Sequence, residues 1–240
     1  MRTKWPAFTT AWTWSKIIEK RQPMNRILIN KWTKVAVFVA CLGPLGLLIW
    51  EAFNGGLGAN PTEFIEHATG DWILRFLVIT LAISPLRKIL GLPQLIRYRR
   101  MLGLFAFFYA CLHFSTYIGL DQLLNLRDVW KDVMKRPYIT VGFTGFVLMI
   151  PLAITSTAGW IRRLGGWRWQ MLHRLIYLSA VAGVIHYYWQ VKSDVHKPLE
   201  YAAIVAILLG WRLFLWLNGS HRGPSRGSVS RKEPTTAETV

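Results

Sequence analysis

Residues 167–194 read WRWQMLHRLIYLSAVAGVIHYYWQVKSD, an apolar run of helix length that carries two histidines, His173 and His186. An ionisable side chain inside a membrane-like segment is costly to bury, so its presence indicates a functional site. A third histidine, His113, lies in a similar run, MLGLFAFFYACLHFSTYIGL. Imidazoles that project from facing helices of a bundle are a common means of holding a metal or a haem in a protein core.

The composition is that of an integral membrane protein. Of 240 residues, 52% are hydrophobic and only 17% are charged, and the mean hydropathy is +0.28. The net charge of +17 comes from short basic clusters between apolar runs, which is typical of loops facing a cytoplasmic leaflet and argues against a nucleic-acid partner. Cys41 and Cys111 lie in apolar runs, where they act as small hydrophobic residues and predict no disulfide or metal site.

Six apolar segments approach the ~20 residues that a membrane-spanning helix needs. They cover approximately residues 35–50, 72–90, 101–120, 138–155, 170–189 and 201–217. The first is short and contains Gly43-Pro44, which predicts a kink, since neighbouring groups in a membrane protein can satisfy the freed carbonyl. The predicted fold class is an all-α membrane protein with six transmembrane helices in a bundle.

Loop charges predict the orientation, because Lys and Arg accumulate on the cytoplasmic side. The lead before residue 35 is rich in Lys and Arg, whereas the loop 51–71 is acidic and contains neither. This alternation continues along the chain and predicts that both termini are cytoplasmic. Trp and Tyr near the segment ends are typical of an aromatic belt.

Three regions are expected. Residues 1–31 form a basic cytoplasmic or interfacial lead, in which translation could begin at Met1 or Met24. Residues 32–217 form the six-helix domain, and the polar residues 218–240 form a disordered cytoplasmic tail. The chain has no GxGxxG or P-loop motif for a nucleotide.

The three intramembrane histidines are predicted to lie at two depths. His173 and His186 are 13 residues apart, which on one helix is ~20 Å along the axis and about 140° around it. Segments three and five run in the same direction, so His113 should be level with His186 near the outer interface. At the level of His173, segment three offers only Arg99 and Arg100.

The chemistry of the outer pair favours haem. Two imidazoles are too few for tetrahedral zinc, and no Cys, Asp or Glu lies at a suitable depth to complete the set. A b-type haem needs only two axial ligands from the protein. Gly183 and Ala110, near the two histidines, would let the ring approach the backbone, although ordinary close packing of small residues explains Gly183 equally well.

Several basic residues have two interpretations. Arg75, one turn inside the outer end of segment two, could bind a haem propionate or extend outward to lipid headgroups. The arginines at the inner face are mainly leaflet anchors, and the alternative is that some bind a flavin phosphate, a quinone headgroup or an inner haem propionate. They are Arg99, Arg100, Arg162, Arg163 and Arg174. The remaining histidines, His67, His196 and His221, are expected in solvated loops or the tail.

Three stretches resemble a known family. They are ISPLRKILG at residues 83–91, RRMLGLFAFFYACLHFSTY at 99–117 and WQMLHRLIYLSAVAGVIHYYWQVKSD at 169–194. Together they resemble the MsrQ (formerly YedZ) family, the haem-binding membrane subunits of the bacterial periplasmic protein-methionine-sulfoxide reductase system, within the ferric reductase-like transmembrane superfamily. The resemblance covers residues 24–217.

The resemblance implies a six-helix protein of the bacterial inner membrane. It implies b haem held through His113, His173 and His186, an FMN, and a periplasmic molybdopterin-containing partner, MsrP, that reduces methionine sulfoxide in oxidised proteins. Larger relatives carry four ligand histidines and a cytoplasmic flavin and NADPH domain. This chain has Arg99 or Arg100 at the height of the fourth histidine and no such domain, so the resemblance implies one or two haems and a separate donor, either quinol or a cytoplasmic flavin reductase.

The main hypothesis is an electron-transfer subunit with no complete catalytic site of its own. Electrons would enter at the inner face near His173, pass to a haem held by His113 and His186, and leave to a periplasmic acceptor. One alternative is a six-helix transporter or assembly factor whose histidines relay protons. Another is a quinol- or ferric-reducing cytochrome b with a different partner.

Overall fold

A computed structural model describes residues 30–191 and 194–220, and this part of the chain is helical with no strand. The helices are α1 Lys31–Phe53, α2 Pro61–Leu90, α3 Ile96–Thr116, α4 Leu126–Lys135, α5 Pro137–Ile154, α6 Ala158–Leu164, α7 Gly166–Leu172, α8 Leu175–Gln190 and α9 His196–Ser220. A short 3-10 helix, Pro93–Leu95, precedes α3, and a π-helical turn, Tyr117–Asp121, follows it. The all-α prediction is confirmed. Residues 1–29 of the predicted lead and residues 221–240 of the predicted tail lie outside the described residues.

The long helices α1, α2, α3, α5, α8 and α9 coincide with the six predicted segments. Four stretches of the described chain are long and apolar enough to cross a membrane: Lys31–Phe53, Pro93–Asp121, Pro137–Ile154 and His196–Asn218. These four stretches indicate a membrane protein. The other two long helices are not among these stretches: α2 carries charged residues in its middle as well as near both ends, and α8 has only 16 residues. The count of six spans and the cytoplasmic termini stay predictions.

The long helices alternate in direction, so each end of the bundle has a defined set of residues. We call the end near Phe53, Asp121, Pro137 and Gln190 the outer end, and the opposite end, which carries α6 and α7, the inner end. The loop charges predict that the outer end faces away from the cytoplasm.

The centre of the bundle consists of two helix pairs, α2 with α3 and α5 with α8, and α9 packs against α8 and α2. Leu81, Ala106 and Ala180 are fully buried between them. Small residues let membrane helices approach closely, because packing rather than exclusion of water stabilises their contacts. Gly145 of α5 is an example: a Cβ built there would lie 3.3 Å from the Cβ of Ala182.

Helix α1 continues through Pro44, and a tyrosine of α3 completes its hydrogen bonding. The Tyr109 hydroxyl donates to the carbonyl oxygen of Cys41 at 3.0 Å and accepts from the backbone N–H of Leu45 at 3.1 Å. In an uninterrupted helix these two backbone groups bond to each other. The buried hydroxyl therefore stands between them and joins α1 to α3, as expected for a proline in a membrane helix.

The predicted fifth segment is not one continuous helix. A turn at His173 and Arg174 separates α7 from α8, with the N–H of Arg174 bonded to the carbonyl of Met171 at 3.1 Å. This three-residue spacing is tighter than that of an α-helix. His173 and His186 therefore lie on different elements, and the angle of about 140° expected for one straight helix does not apply.

The Tyr109 contact predicts a stability change. Tyr109→Phe keeps the buried ring but leaves two backbone groups of α1 without partners, so we expect a loss of about 1–3 kcal/mol in the free energy of unfolding. Unfolding of the purified protein in detergent by a denaturing surfactant would measure it. Tyr188→Phe, at an exposed tyrosine of α8, is the control, and equal stability of the two variants would contradict the role of the hydroxyl.

Candidate cofactor site

The structure brings His113 of α3 and His186 of α8 together at the outer end. Their ring centroids are 6.2 Å apart and their planes are inclined by 83°. Two imidazoles on opposite sides of one metal ion have centroids about 6 Å apart, because each metal–nitrogen bond is about 2 Å long and each ring centre lies about 1 Å beyond its nitrogen. The separation of these two rings therefore suits one metal between them.

Each imidazole is held by a backbone carbonyl of a neighbouring helix. His186 Nδ1 lies 2.7 Å from the carbonyl oxygen of Tyr138, and His113 Nδ1 lies 3.1 Å from that of Glu66 and 3.2 Å from Thr69 Oγ1. A carbonyl only accepts, so we assign the proton to Nδ1 in both rings. The two Nε2 atoms then carry the lone pairs, and the Nδ1 bonds orient the rings as in known metal-binding histidines.

Glycines allow this arrangement. A Cβ at Gly142 of α5 would lie 2.6 Å from His186 Nδ1, closer than real atoms approach. Gly142 therefore leaves the space in which His186 reaches the carbonyl of Tyr138. A Cβ at Gly183 would lie 3.1 Å from Leu74 Cδ2, so Gly183 serves the close packing of α8 on α2 and also lines the cavity described next.

A cavity of about 430 Å³ surrounds the histidine pair, within the range of small-molecule sites. Its lining is mainly apolar or aromatic and includes Ala110, Leu74 and Phe146. We call it the outer cavity. Glu66 lies at its mouth, before the predicted span, and burial, with Asp121 and Glu63 adding to the effect, raises the pKa of its carboxyl to about 7.

The arginine at the outer cavity is Arg136, the only Arg or Lys among its described lining residues. Its Nε lies 3.3 Å from Asp132 Oδ1, and its Nη1 donates to the Tyr138 hydroxyl at 3.4 Å. Arg75 is not part of this lining. Its guanidinium lies 3.5 Å from Asp71 and 4.6 Å from the Trp72 ring centroid, and its Nε donates to the Tyr201 hydroxyl at 3.4 Å. Binding of a propionate by Arg75 stays a prediction.

His173 lies at a second cavity, of about 550 Å³, at the inner end. We call it the inner cavity. Arg99, Arg100 and Arg174 line it with His173, and no carboxylate is among its described lining residues. The charge of this cavity is therefore strongly positive, which suits an anionic group.

Two contacts orient the His173 ring. It packs on the Trp169 ring with centroids 3.9 Å apart, and its Nε2 lies 3.1 Å from Thr155 Oγ1. The Thr155 hydroxyl donates to the carbonyl of Pro151 at 2.6 Å. The Thr155 hydroxyl proton is already in that bond, so the hydroxyl oxygen can only accept from His173. We therefore place the imidazole proton of His173 on Nε2, which leaves the lone pair on Nδ1.

Only a thin layer of side chains separates the two cavities. Met149 is buried and lines both of them. Phe107 lines the inner cavity and Phe146 the outer one, and their rings stack with centroids 5.8 Å apart and planes inclined by 8°. A carrier in one cavity would therefore be close to a carrier in the other.

Comparison with known proteins identifies the family. Residues 69–184 match the family described as "Ferric reductase like transmembrane component". A relative from Herminiimonas arsenicoxydans is 55% identical over 183 residues, which cover 75% of this chain and 84% of the relative. Its name is "Protein-methionine-sulfoxide reductase heme-binding subunit MsrQ". The chain belongs to the MsrQ family. The resemblance inferred from three stretches of sequence is thus confirmed.

Other MsrQ proteins match over similar lengths. One from Xanthomonas euvesicatoria pv. vesicatoria (strain 85-10) is 51% identical over 210 residues, covering 85% of this chain and 94% of the relative. One from Caulobacter vibrioides is 47% identical over 178 residues, covering 74% and 85%. His113 and His173 lie within residues 69–184, which match the ferric reductase-like family, and His186 lies two residues beyond them.

Sequence analysis missed Gly142, Tyr138 and Arg136. Tyr138 contributes a backbone carbonyl, which any residue type supplies, and Arg136 belongs to a loop of mixed charge. The four-residue spacing from Tyr138 to Gly142 becomes meaningful only when α5 is known to face His186, because both positions then lie on one side of that helix.

The tight contact at Gly142 predicts a specific defect. Gly142→Ala places a methyl group in the space of the His186 ring, so we expect the free energy of unfolding to fall by about 1–3 kcal/mol. Gly103→Ala is the matched control, since its Cβ would meet Thr80 at an ordinary 3.7 Å. Both variants would be unfolded in the same detergent, and a Gly142→Ala protein as stable as the control would show that the ring is not held at this position.

Proposed function

We propose that this protein is the haem-binding electron-transfer subunit of a protein-methionine-sulfoxide reductase system in the bacterial inner membrane. It passes electrons to a periplasmic molybdopterin subunit of the MsrP type for repair of oxidised proteins. The observation that carries this proposal is the pairing of His113 with His186, 6.2 Å apart between ring centroids, with both Nδ1 atoms held by hydrogen bonds. The printed names of the relatives, heme-binding subunits of such systems, support it.

The residues of the outer cavity fit a b haem. His113 and His186 would hold the haem iron through their Nε2 atoms. When bound, the haem would supply a one-electron carrier, and two histidine ligands favour electron transfer over oxygen chemistry. The apolar lining suits the macrocycle, and Arg136 at the mouth suits a propionate.

The chain's own groups hold the ligands and exclude water. The carbonyls of Tyr138 and Glu66 accept the Nδ1 protons and thereby fix the direction of both Nε2 lone pairs. Gly142 lets His186 reach its acceptor, and Leu74, Leu77 and Phe146 form an apolar wall. An apolar environment around a metal site controls both solvent access and redox potential.

The inner cavity is the entry point in this proposal. His173 offers one imidazole, and Arg99, Arg100 and Arg174 offer positive charge. These groups suit the propionates of a second haem, the phosphate of FMN or the headgroup of a reduced quinone. The donor is quinol or a cytoplasmic flavin reductase, and electrons reach the outer cavity past Met149 and the stacked Phe107 and Phe146 rings.

The two outer histidines give the first test. Wild-type protein purified in detergent should show a low-spin b-type spectrum that changes on reduction, and His113→Ala and His186→Ala should each abolish the outer signal because an axial ligand is lost. His196→Ala, at an exposed residue of α9 that is in the lining of neither cavity, is the control. A normal low-spin spectrum in both ligand variants would refute the assignment, and colourless wild-type protein would favour a transporter or assembly factor.

His173→Ala separates one haem from two. If His173 binds a second haem, the haem-to-protein ratio should fall by half while the low-spin signal of the outer pair persists. An unchanged ratio assigns the inner cavity to a flavin or quinone. Loss of all haem in this variant would contradict the proposal that His113 and His186 hold the outer haem without His173.

Electron delivery gives the second test of the proposal. Dithionite-reduced protein, freed of excess reductant, should be reoxidised on mixing with an MsrP-type molybdoenzyme and a protein that contains methionine sulfoxide. The same mixture with an unoxidised protein substrate is the control and should stay reduced. Reoxidation by a ferric chelate but not by the molybdoenzyme would favour a ferric-reducing cytochrome b.

A further inference from the structure

Helix α4 is attached at both ends to membrane-crossing helices. Residues 122–125 join it to the π-helical turn at the end of α3, and Arg136 alone joins it to α5. Both of these neighbours are long and apolar enough to span a bilayer. Links of one and four residues reach at most about 4 and 14 Å, so the ten residues of α4 must lie close to the membrane surface at the outer end.

One side of α4 is apolar and has no partner in the described chain. Leu126, Trp130 and Met134 recur every four residues and are 64–68% exposed. Val129 and Val133 lie on the adjoining side and are buried where α4 packs on α5. The exposed apolar stripe therefore lies beside the contact with α5 and faces outward from the bundle, next to the surface that α5 presents to lipid.

The other sides of α4 are charged and sorted by sign. Arg127, Lys131 and Lys135 form a basic stripe beside the apolar one, at the same four-residue spacing. Lys131 also pairs with Asp128 at 2.8 Å. On the remaining side, Asp132 accepts from the Tyr117 hydroxyl at 3.1 Å.

The loop before α4 extends the apolar surface. Leu123 and Leu124 have φ values of 47° and 62° and are 80% and 72% exposed. A left-handed backbone is unfavourable for an L-residue, and exposure of two leucine side chains to water does not offset that cost. Contact with an apolar phase would offset this cost, so the loop and the stripe point to the same environment.

We propose that α4 is an interfacial helix that binds the phospholipid surface at the outer end of the bundle. Leu123, Leu124, Leu126, Trp130 and Met134 insert at the boundary of the acyl chains, and the basic stripe contacts anionic headgroups. An apolar face bordered by Lys and Arg is the pattern that binds membranes in this way, and Trp prefers the interfacial layer. A soluble partner would first have to displace lipid from a helix fixed at this depth.

This binding would also support the outer cavity. Asp132, on the side of α4 away from the lipid, contacts both Tyr117 and Arg136, which line that cavity. Seating α4 on the bilayer would therefore hold these two side chains in place. The proposal does not depend on the proposed function, since it concerns the helix and the lipid alone.

Site-directed labelling tests the orientation of α4. In a Cys41→Ala/Cys111→Ala background, an environment-sensitive fluorophore would be attached at Leu126→Cys, Met134→Cys or Asp128→Cys, in nanodiscs of phosphatidylethanolamine and phosphatidylglycerol. Labels at 126 and 134 should emit at shorter wavelength and be quenched several-fold more by acyl-chain nitroxides than the control label at 128. Equal, weak quenching at all three positions would overturn the proposal.

Hydroxyl-radical footprinting of the unsubstituted protein in the same nanodiscs provides a measurement without substitutions. Trp130 and Met134 should be modified several-fold less than His67, which is exposed at the same end of the bundle. If Trp130 and Met134 were modified as much as residues exposed to water, and less only when a periplasmic protein is added, the proposal would be overturned in favour of protein docking.

Arg127→Gln/Lys135→Gln should weaken the effect of phosphatidylglycerol on quenching at position 134, and an undiminished effect would refute the role of the basic stripe.

Discussion

The outer end of this protein depends on two imidazoles that face each other while their far sides are tied to backbone carbonyls. His113 belongs to α3 and bonds to the carbonyl of Glu66 in α2, whereas His186 belongs to α8 and bonds to the carbonyl of Tyr138 in α5. The four central helices are thus joined in two pairs at this point. Each hydrogen bond ties a ring of one helix to the backbone of another and so fixes the orientation of that ring. The glycine at 142 and the apolar wall around the pair serve this arrangement.

The two ends of the bundle differ in chemistry. The outer cavity has the paired imidazoles of His113 and His186, mainly apolar walls, one arginine and three carboxylates, and the imidazole pair would suit an iron centre within a porphyrin. The inner cavity has one imidazole and three arginines, so it suits binding of a negatively charged group better than binding of a metal between two histidines. Met149 and the Phe107–Phe146 stack stand between them. This asymmetry suits a protein that accepts electrons from an anionic carrier on one side and passes them onward on the other.

The sequence predicted the long helices because an apolar run of about twenty residues is the length that a membrane-spanning helix needs. It also placed His113 level with His186, since helical rise converts residue number into depth. The sequence did not predict the hydrogen-bond acceptors of the two rings, because these are backbone carbonyls, which every residue type has. The turn at His173 was not predicted either, because residue hydropathy does not show where the backbone hydrogen bonding changes from a four-residue to a three-residue spacing. For Arg75, the carboxylate of Asp71 one turn earlier takes up the guanidinium, a pairing that the four-residue spacing would have predicted.

The central claim is that both imidazoles bind one iron. Electron paramagnetic resonance of the oxidised protein, prepared with histidine labelled by ¹⁵N, tests it most directly through the nitrogen hyperfine couplings of the low-spin signal. The account predicts couplings from two histidine nitrogens on the outer haem, with the far nitrogens still protonated as their carbonyl bonds require. In the His173→Ala protein, where an inner haem would be lost, a haem signal with one coupled histidine, or with none, would contradict it.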